Sequence, residues 1–167
     1  MIMQNWYALQ VKSRHEFVVS QELSRKGVDN FLPAVTRVQQ WKDRKKMVDF
    51  PLFPGYVFVH LVPASGEFLN VVKTRGSVSF VSLEPGYPTV VSPEEIASLR
   101  VMLESGEPFD VFPSLREGTA VRVKRGPLQD AVGILAQRED HHMFIVNIDL
   151  LGRSIGLKIR AEDVEPA

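Results

Sequence analysis

The side chains of this sequence that could do catalytic chemistry are few and poorly placed. The chain has no cysteine and four histidines, of which only His141 and His142 are adjacent. Neighbours on a strand point to opposite faces, so this pair does not predict a shared metal ion. Glu94 and Glu95 look like an acid–base pair, but a helix start accounts for both. The sequence also lacks a nucleophile elbow, a P-loop and a Gly-x-Gly-x-x-Gly fingerprint, so we expect neither an enzyme nor a cofactor.

A second kind of chemistry, binding through an apolar surface, is suggested by residues 50–61 (FPLFPGYVFVHL), the most apolar run of the chain. Pro51 and Pro54 fix the backbone and remove hydrogen-bond donors, whereas residues 56–61 are aromatic and β-branched and predict a buried strand. Alternation places Tyr56, Phe58 and His60 on one face and aliphatic residues on the other. Each of the two apolar faces must be buried, one by the core of the domain and the other by something else. The residues leave open which face points outward, and whether its cover is a second layer, a ligand or a partner.

A third candidate for binding is the basic stretch at residues 37–46, which contains five basic residues, one acidic residue and neither Gly nor Pro. This composition predicts an extended hairpin arm. Such an arm suits contact with nucleic acid or with a protein, and equally a solvated surface.

The composition limits the class of protein. The chain has 167 residues, is 44% hydrophobic, and its 20 basic and 20 acidic residues cancel, which disfavours a bulk nucleic-acid binder. The N-terminus lacks the pattern of a signal peptide, and no window approaches the roughly 20 apolar residues of a membrane span. We therefore expect a soluble, cytoplasmic monomer.

The elements that position these residues fall into two groups. In the first half the patterns predict a strand at 6–11, a helix at 15–26, a helix at 63–73, a strand at 78–83 and a helix after Ser92. Ser92, Pro93 and Glu95 have the spacing of a capping box. Residues 107–114 contain two prolines and predict a linker. Beyond them only short strands are expected, which is typical of a small barrel.

Several motifs occur in the order found in one family. Trp6-Tyr7, the run FPGYVFV at residues 53–59 and Thr74-Arg75-Gly76 together resemble the N-terminal domain of the NusG family. In the second half, VRVKRGP at residues 121–127, followed by GIL at residues 133–135, resembles that family's KOW motif. The two resemblances run from about Trp6 to Val164, which is nearly the whole chain.

This resemblance implies an α+β fold, with an antiparallel sheet flanked by helices (NGN-like) followed by a small SH3-like β-barrel (KOW). The implied domains are an NGN-like domain at residues 4–106, a linker at 107–114 and a KOW domain at 115–167. The implied function is a transcription elongation or antitermination factor that modulates pausing or termination. Its expected partners are the clamp helices of RNA polymerase, the non-template DNA strand and, through the KOW domain, NusE, the ribosome or Rho.

The resemblance also assigns roles to residues by their place in the family motifs. Contact with RNA polymerase is implied for Tyr56, Phe58, Phe80 and Val90. Contact with DNA is implied for Lys12, Arg14, His15, Thr74 and Arg75. The KOW motif comprises Val121, Val123, Gly126, Pro127 and Gly133. The alternative that Tyr56 and Phe58 pack only the core of their own domain stays open.

One departure from the family concerns Ala131. The general factor has an aromatic residue at the matching position, which helps to contact Rho and NusE, and losing such an anchor typically costs a few kcal/mol. We therefore expect weak recruitment of Rho, and favour a specialised paralogue of the RfaH-like kind over the housekeeping factor. Glycines and β-branched residues still predict a barrel rather than the helical second domain of RfaH. The alternative function is an RNA- or ribosome-binding KOW protein, which the acidic balance of residues 105–167 disfavours.

Overall fold

A computed structural model describes residues 4–63, 66–115 and 117–167, and the chain divides into two units, Met1–Val90 and Val91–Ala167. The elements up to the boundary are β1 Asn5–Val11, α1 Glu16–Arg25, β2 Asp29–Phe31, β3 Ala34–Gln40, β4 Lys45–Pro51, β5 Tyr56–Leu61, α2 Glu67–Val72, β6 Ser77–Phe80 and β7 Val90–Val91. Those beyond it are α3 Pro93–Glu104, β8 Asp110–Pro113, β9 Thr119–Val123, β10 Val132–Gln137, β11 His142–Ile148, β12 Arg153–Ile159 and β13 Val164–Pro166. No helix in the described ranges is long and apolar enough to cross a membrane.

The first unit is built on an antiparallel sheet in the order β2-β5-β1-β6, with β7 beside β1. Helices α1 and α2 pack on one face, where Val19, Leu23 and Val71 meet the inward side chains of β1 and β5. Strands β3 and β4 form a separate two-stranded sheet, which confirms the predicted hairpin arm.

The predicted helices of the first unit are present, with shorter bounds for the second. Helix α1 ends at Arg25, and Gly27 follows with a φ of 80°. This is the left-handed conformation that glycine adopts readily after a helix. Helix α2 begins at Glu67. Residues 64 and 65 of the predicted helix lie outside the described residues.

The second unit is a six-stranded antiparallel sheet in the order β13-β9-β10-β11-β12-β8. The predicted fold class, an antiparallel sheet with flanking helices followed by a small β domain, is confirmed. Strands β9 to β12 are short, as the sequence predicts, because turn residues separate each apolar run from the next.

The stretch predicted to be a linker contains strand β8, which pairs with β12. The ring of Phe112 lies over Gly156, where an added Cβ would stand 3.2 Å from it. The side-chain amide of Asn147 donates to the carbonyl oxygen of Leu115 at 2.7 Å and accepts from its N–H at 3.0 Å. These contacts between distant residues draw an otherwise irregular segment into the sheet, and local sequence does not encode them.

Helix α3 also differs from the prediction, because it belongs to the second unit and not to the first. It packs against β10 and β11 and buries Ile96, Leu99 and Met102. The hydroxyl oxygen of Ser98, only 3% exposed, accepts a hydrogen bond of 2.9 Å from the N–H of Val132. The predicted domain limit at residue 106 is therefore replaced by a division at Val90/Val91, since packing rather than chain order decides where α3 belongs.

The predicted capping box at the start of α3 is wrong. Ser92 precedes the helix, but its side chain makes no capping hydrogen bond. Glu95 instead interacts with Asp149, in the short 3-10 helix Asp149–Leu151. Burial of the Glu95 carboxyl, reinforced by the charge of Asp149, raises its pKa from 4.5 to about 7. This carboxyl is consequently poised to change charge near neutral pH.

Candidate protein-binding and nucleic-acid interfaces

The turn that leads into β5 is held by a buried carboxylate. Gly55 has a φ of 91°, and its N–H donates to Oε2 of Glu16 at 2.9 Å. The N–H of Val11 donates to the carbonyl oxygen of Gly55 at 2.8 Å. Glu16 is only 4% exposed, so its carboxylate is a strong acceptor in a protected site. The start of β5, and with it the backbone of Tyr56, is thus tied to both α1 and β1.

The two faces of β5 have different neighbours. Val57, Val59 and Leu61 are buried in the core beneath α1 and α2. Tyr56 and Phe58 lie on the opposite face, because they pair with Gln10 and Ala8 of β1. The helices of the first unit therefore cover only the aliphatic face of this strand.

The aromatic face of β5 extends over three strands. Phe58 stacks near Phe31 of β2, with ring centroids 6.2 Å apart, and is only 1% exposed. His60 stacks on Trp6 at 4.5 Å with nearly parallel rings, and its Nδ1 lies 3.0 Å from a carboxylate oxygen of Asp29. Tyr56, at the start of the strand, is half-buried. Of the two predicted anchors, Tyr56 has exposed surface in this structure and Phe58 does not.

The two other residues predicted to contact the polymerase lie elsewhere on the sheet. Phe80 pairs with Leu9 and therefore lies on the helix-covered face. There its ring meets those of Tyr7 and Phe68 edge to face, at 6.1 and 5.1 Å. Val90 is 49% exposed. Phe80 and Tyr56 therefore lie on opposite faces of the sheet. Both are apolar residues of strands, and only the register of each strand decides which face its side chain occupies.

The residues predicted to contact DNA come together at one end of the first sheet. The N–H of Lys12 donates to the carbonyl oxygen of Gly76 at 2.8 Å, which joins the turn after β1 to the segment before β6. Lys12, Arg14 and Arg75 are exposed there, and Arg14 has a φ of 66°. A Cβ on Gly76 would stand 2.9 Å from Val19, so glycine allows this close approach.

Thr74 and His15 are less exposed than Lys12, Arg14 and Arg75. Thr74 is 4% exposed, accepts a hydrogen bond of 2.9 Å from Nζ of Lys26 and donates to the carbonyl oxygen of Asn70 at 3.3 Å. His15 precedes α1 and is half-buried, with Nδ1 2.9 Å from the carbonyl oxygen of Ser13. Among the residues predicted to contact DNA, exposed positive charge therefore comes from Lys12, Arg14 and Arg75.

The residues of the KOW motif lie in the interior and in one turn of the second unit. Val121 and Val123 are buried, while Gly126 and Pro127 form the exposed turn after β9. A Cβ on Gly133 would stand 2.3 Å from the carbonyl oxygen of Ile145, so only glycine fits between β10 and β11. Ala131 is 1% exposed and closes the turn by donating its N–H to the carbonyl oxygen of Leu128 at 3.0 Å.

A groove of about 1020 Å³ lies on the second unit and was not predicted from sequence. Its lining includes the apolar side chains of Phe112, Leu128, Met143 and Leu157 and the charged side chains of both signs that surround them. Phe112 comes from the stretch that sequence patterns predict to be a linker, so the groove depends on the pairing of β8.

Sequence reasoning missed three residues that position these surfaces: Glu16, Ser98 and Asn147. Each is a polar side chain that satisfies a backbone group far away in the chain. A polar residue among apolar ones at a helix start was a weak local signal for Glu16, but nothing local marked the other two. Within the described ranges, no three His, Asp or Glu side chains come together to form a metal site.

Comparison with known proteins assigns the chain to a family. The family model described as "Transcription termination factor nusG" matches residues 4–100. The chain is 31% identical to a transcription termination/antitermination protein NusG of Staphylococcus aureus, over 96% of this chain and 94% of the relative. It is 25% identical to the NusG of Halalkalibacterium halodurans, over 96% and 97%.

Solved structures are similar over the same length at lower identity. The structure "Domain interaction in Thermotoga maritima NusG" matches with a TM-score of 0.48 and 24% identity, covering 97% of this chain and 96% of that one. The MjSpt4:Spt5 complex in conformation B matches with a TM-score of 0.32 and 14% identity, over 96% and 95%. Members of the NusG family are transcription factors without enzymatic activity. From the match to residues 4–100 and the relatives of full length, we conclude that this chain belongs to the NusG family.

Proposed function

We propose that this protein is a transcription elongation or antitermination factor that binds RNA polymerase through its first unit. The observation that supports this most strongly is the two-sided sheet of that unit. Helices α1 and α2 cover the aliphatic face, and Tyr56 begins a second face made of aromatic side chains. Aromatic residues on a rigid sheet are the usual anchors of protein interfaces.

Tyr56 is the proposed direct contact with the clamp helices of the polymerase. Its position follows from the Gly55 turn, which Glu16 and Val11 tie to the sheet. Phe58 is buried and has the supporting role of packing with Phe31. Phe80 lies on the other face and contributes to the core, and Val90 adds exposed apolar surface.

The basic surface of Lys12, Arg14 and Arg75 is the proposed contact with the non-template DNA strand. Its positive charges are exposed, and no ion pair within the described residues neutralises them. Free cations of this kind bind phosphates by releasing counterions. Thr74 and His15 would shape the turn without touching the strand.

The second unit is the proposed recruitment module, acting through the groove between Phe112 and Leu128. Its partners would be NusE, the ribosome or, more weakly, Rho. The small buried Ala131 offers no aromatic anchor, which supports a specialised paralogue. Since its polymerase works in the cytoplasm, the protein would act there too.

Affinity for core RNA polymerase tests the proposal. Tyr56→Ala is expected to weaken binding by about 30-fold or more, the loss of about 2 kcal/mol typical of an aromatic anchor. Tyr87→Ala is the matched control, because Tyr87 is 70% exposed in the turn between β6 and β7 and not on β5. It should leave binding unchanged. Equal affinities of the two folded variants would contradict the assignment of the contact to Tyr56.

A further inference from the structure

The hairpin of strands β3 and β4 is an exposed arm of the first unit. Its two strands pair with each other from Ala34–Pro51 to Gln40–Lys45 and form a sheet of their own. Every residue from Thr36 to Met47 is exposed. At the base, the N–H of Leu52 donates to the carbonyl oxygen of Pro33 at 2.8 Å, and both residues are buried. The arm thus has a fixed base and two faces open to a partner.

Positive charge is concentrated on this arm. Residues 34–51 contain five basic and two acidic side chains, a net charge of +3 in a chain whose total is zero. None of the five cations takes part in an ion pair within residues 4–63, 66–115 and 117–167. One of the two acids, Asp49, accepts a hydrogen bond from the hydroxyl of Thr36. The positive charge is therefore available to an external anion.

The register divides the strands of the arm into two unlike faces. Arg37 lies opposite Val48, and Gln39 opposite Lys46, so Arg37 and Lys46 share one face. The ammonium of Lys46 lies over the ring of Trp41 at 4.8 Å, which places the indole beside the same face. The acidic Asp49 points to the other side, as do Val38 and Met47. One face of the ribbon therefore combines two cations, an amide and an aromatic ring without an acid on either strand.

We propose that this face binds double-stranded DNA, with Arg37 and Lys46 on the phosphates and the ribbon along the major groove. A two-stranded ribbon is of the size that the groove of B-DNA, about 12 Å wide, admits. The major groove of A-form RNA is too deep and narrow for it. A single strand is typically bound by a series of stacking aromatics, whereas this arm has two that are far apart, Trp41 near the tip and Phe50 near the base. Charge and shape together select duplex DNA among the polyanions.

The charge of the arm does not depend on the polymerase, so the binding of DNA can be measured in the absence of RNA polymerase. The probe is a labelled 20-base-pair DNA duplex of mixed sequence, titrated with the full-length protein at several salt concentrations. The test variant is Arg37→Gln/Lys46→Gln, since Lys45 pairs with Gln40 and lies on the other face. If both side chains contact phosphates, the slope of log affinity against log salt should fall by about 1.8, or about 0.9 for each contact.

The matched control removes the same charge from exposed positions of the second unit, by Arg122→Gln/Lys124→Gln. It should leave the salt slope at the wild-type value. A second test variant, Lys42→Gln/Arg44→Gln, changes only the turn at the tip and should lower the slope by a smaller amount. Thermal unfolding of each variant confirms that the substitutions leave the fold intact, as expected for exposed side chains.

Three results would overturn the proposal. One is equal salt slopes for the Arg37→Gln/Lys46→Gln variant and its control. Another is a larger fall in the salt slope of the Arg37→Gln/Lys46→Gln variant with duplex RNA or single-stranded DNA of the same sequence than with the DNA duplex. The third is the absence of wild-type binding to the duplex at low salt. Loss of polymerase binding in Tyr56→Ala with intact duplex binding would keep the two surfaces distinct.

Discussion

Each of the two units contains a run that resembles a motif of the family, yet the residues of the two runs have opposite positions. In the first unit, the run at residues 53–59 ends in a strand whose Tyr56 lies half-buried on the face away from α1 and α2. In the second unit, Val121 and Val123 are buried, and Gly133 leaves no room for a side chain. The first motif places an aromatic side chain at the surface, whereas the residues of the second motif pack inside a sheet. A motif therefore indicates where a residue lies in a family's fold, but its role follows only from the packing.

The largest effect is expected from Gly133→Ala, which tests whether the second motif is structural. The new Cβ would approach the carbonyl oxygen of Ile145 to 2.3 Å, so strands β10 and β11 must separate. We expect a loss of about 3 kcal/mol in the free energy of unfolding. Chemical denaturation of the full-length protein measures it.

The matched control for this substitution is Gly126→Ala, in the turn of the same motif. Gly126 has a φ of 86° and nothing within 4 Å of an added Cβ. Only backbone strain of about 1 kcal/mol is therefore expected. If Gly133→Ala cost no more than Gly126→Ala, the close packing of β10 on β11 would be contradicted.

A smaller effect is expected from Glu16→Ala, which tests how the first unit positions Tyr56. The substitution removes the acceptor of the Gly55 N–H in a buried site and should cost about 1–3 kcal/mol of folding free energy. Glu22→Ala is the control, because Glu22 forms an exposed ion pair with Arg25 at 2.9 Å and should cost less than about 1 kcal/mol. Thermal unfolding distinguishes the two. Equal costs would mean that Glu16 does not hold the turn.

An effect that depends on pH is expected from Glu95 in the second unit. Its pKa of about 7 is raised above the ordinary 4.5, so the folded state retains a proton that the unfolded state loses. Stability from this group is fully present below pH 4.5 and is lost as the pH rises through about 7. Glu95→Gln should flatten this part of the curve, measured as melting temperature between pH 4 and 8. The exposed neighbour Glu94→Gln should leave the curve as in wild type, and a curve unchanged by Glu95→Gln would remove the group as its source.

Much of the fold could be predicted because its signals are local. Helix α1 is followed by Gly27, and turn residues separate strands β9 to β12. The periodicity of apolar residues and the positions of turn residues therefore locate these elements. The alternation along β5 also sorted Tyr56 and Phe58 from Val57 and Val59 correctly. It did not reveal which face was outward, since both sets are apolar.

The remaining errors share a physical cause, which is pairing between residues distant in sequence. Strand β8 pairs with β12 because Asn147 hydrogen-bonds to the segment that follows β8 and Gly156 leaves room for the ring of Phe112. Helix α3 packs in the second unit, where Ser98 accepts a hydrogen bond from the N–H of Val132. The family resemblance places Phe80 in the polymerase contact, and only its register with Leu9 reveals that it lies partly buried on the helix-covered face. Register and tertiary hydrogen bonds are properties of the folded chain and leave little trace in a local pattern.

The most direct test of the proposed function is site-specific photocrosslinking to core RNA polymerase. A photoreactive amino acid is placed at position 56 in one protein and at position 87 in another, and each is irradiated with the polymerase. We predict a crosslink from position 56 to the polymerase subunit that contains the clamp helices, and none to that subunit from position 87. Crosslinking to it from position 87 alone would contradict the proposal that the aromatic face beginning at Tyr56 binds the enzyme.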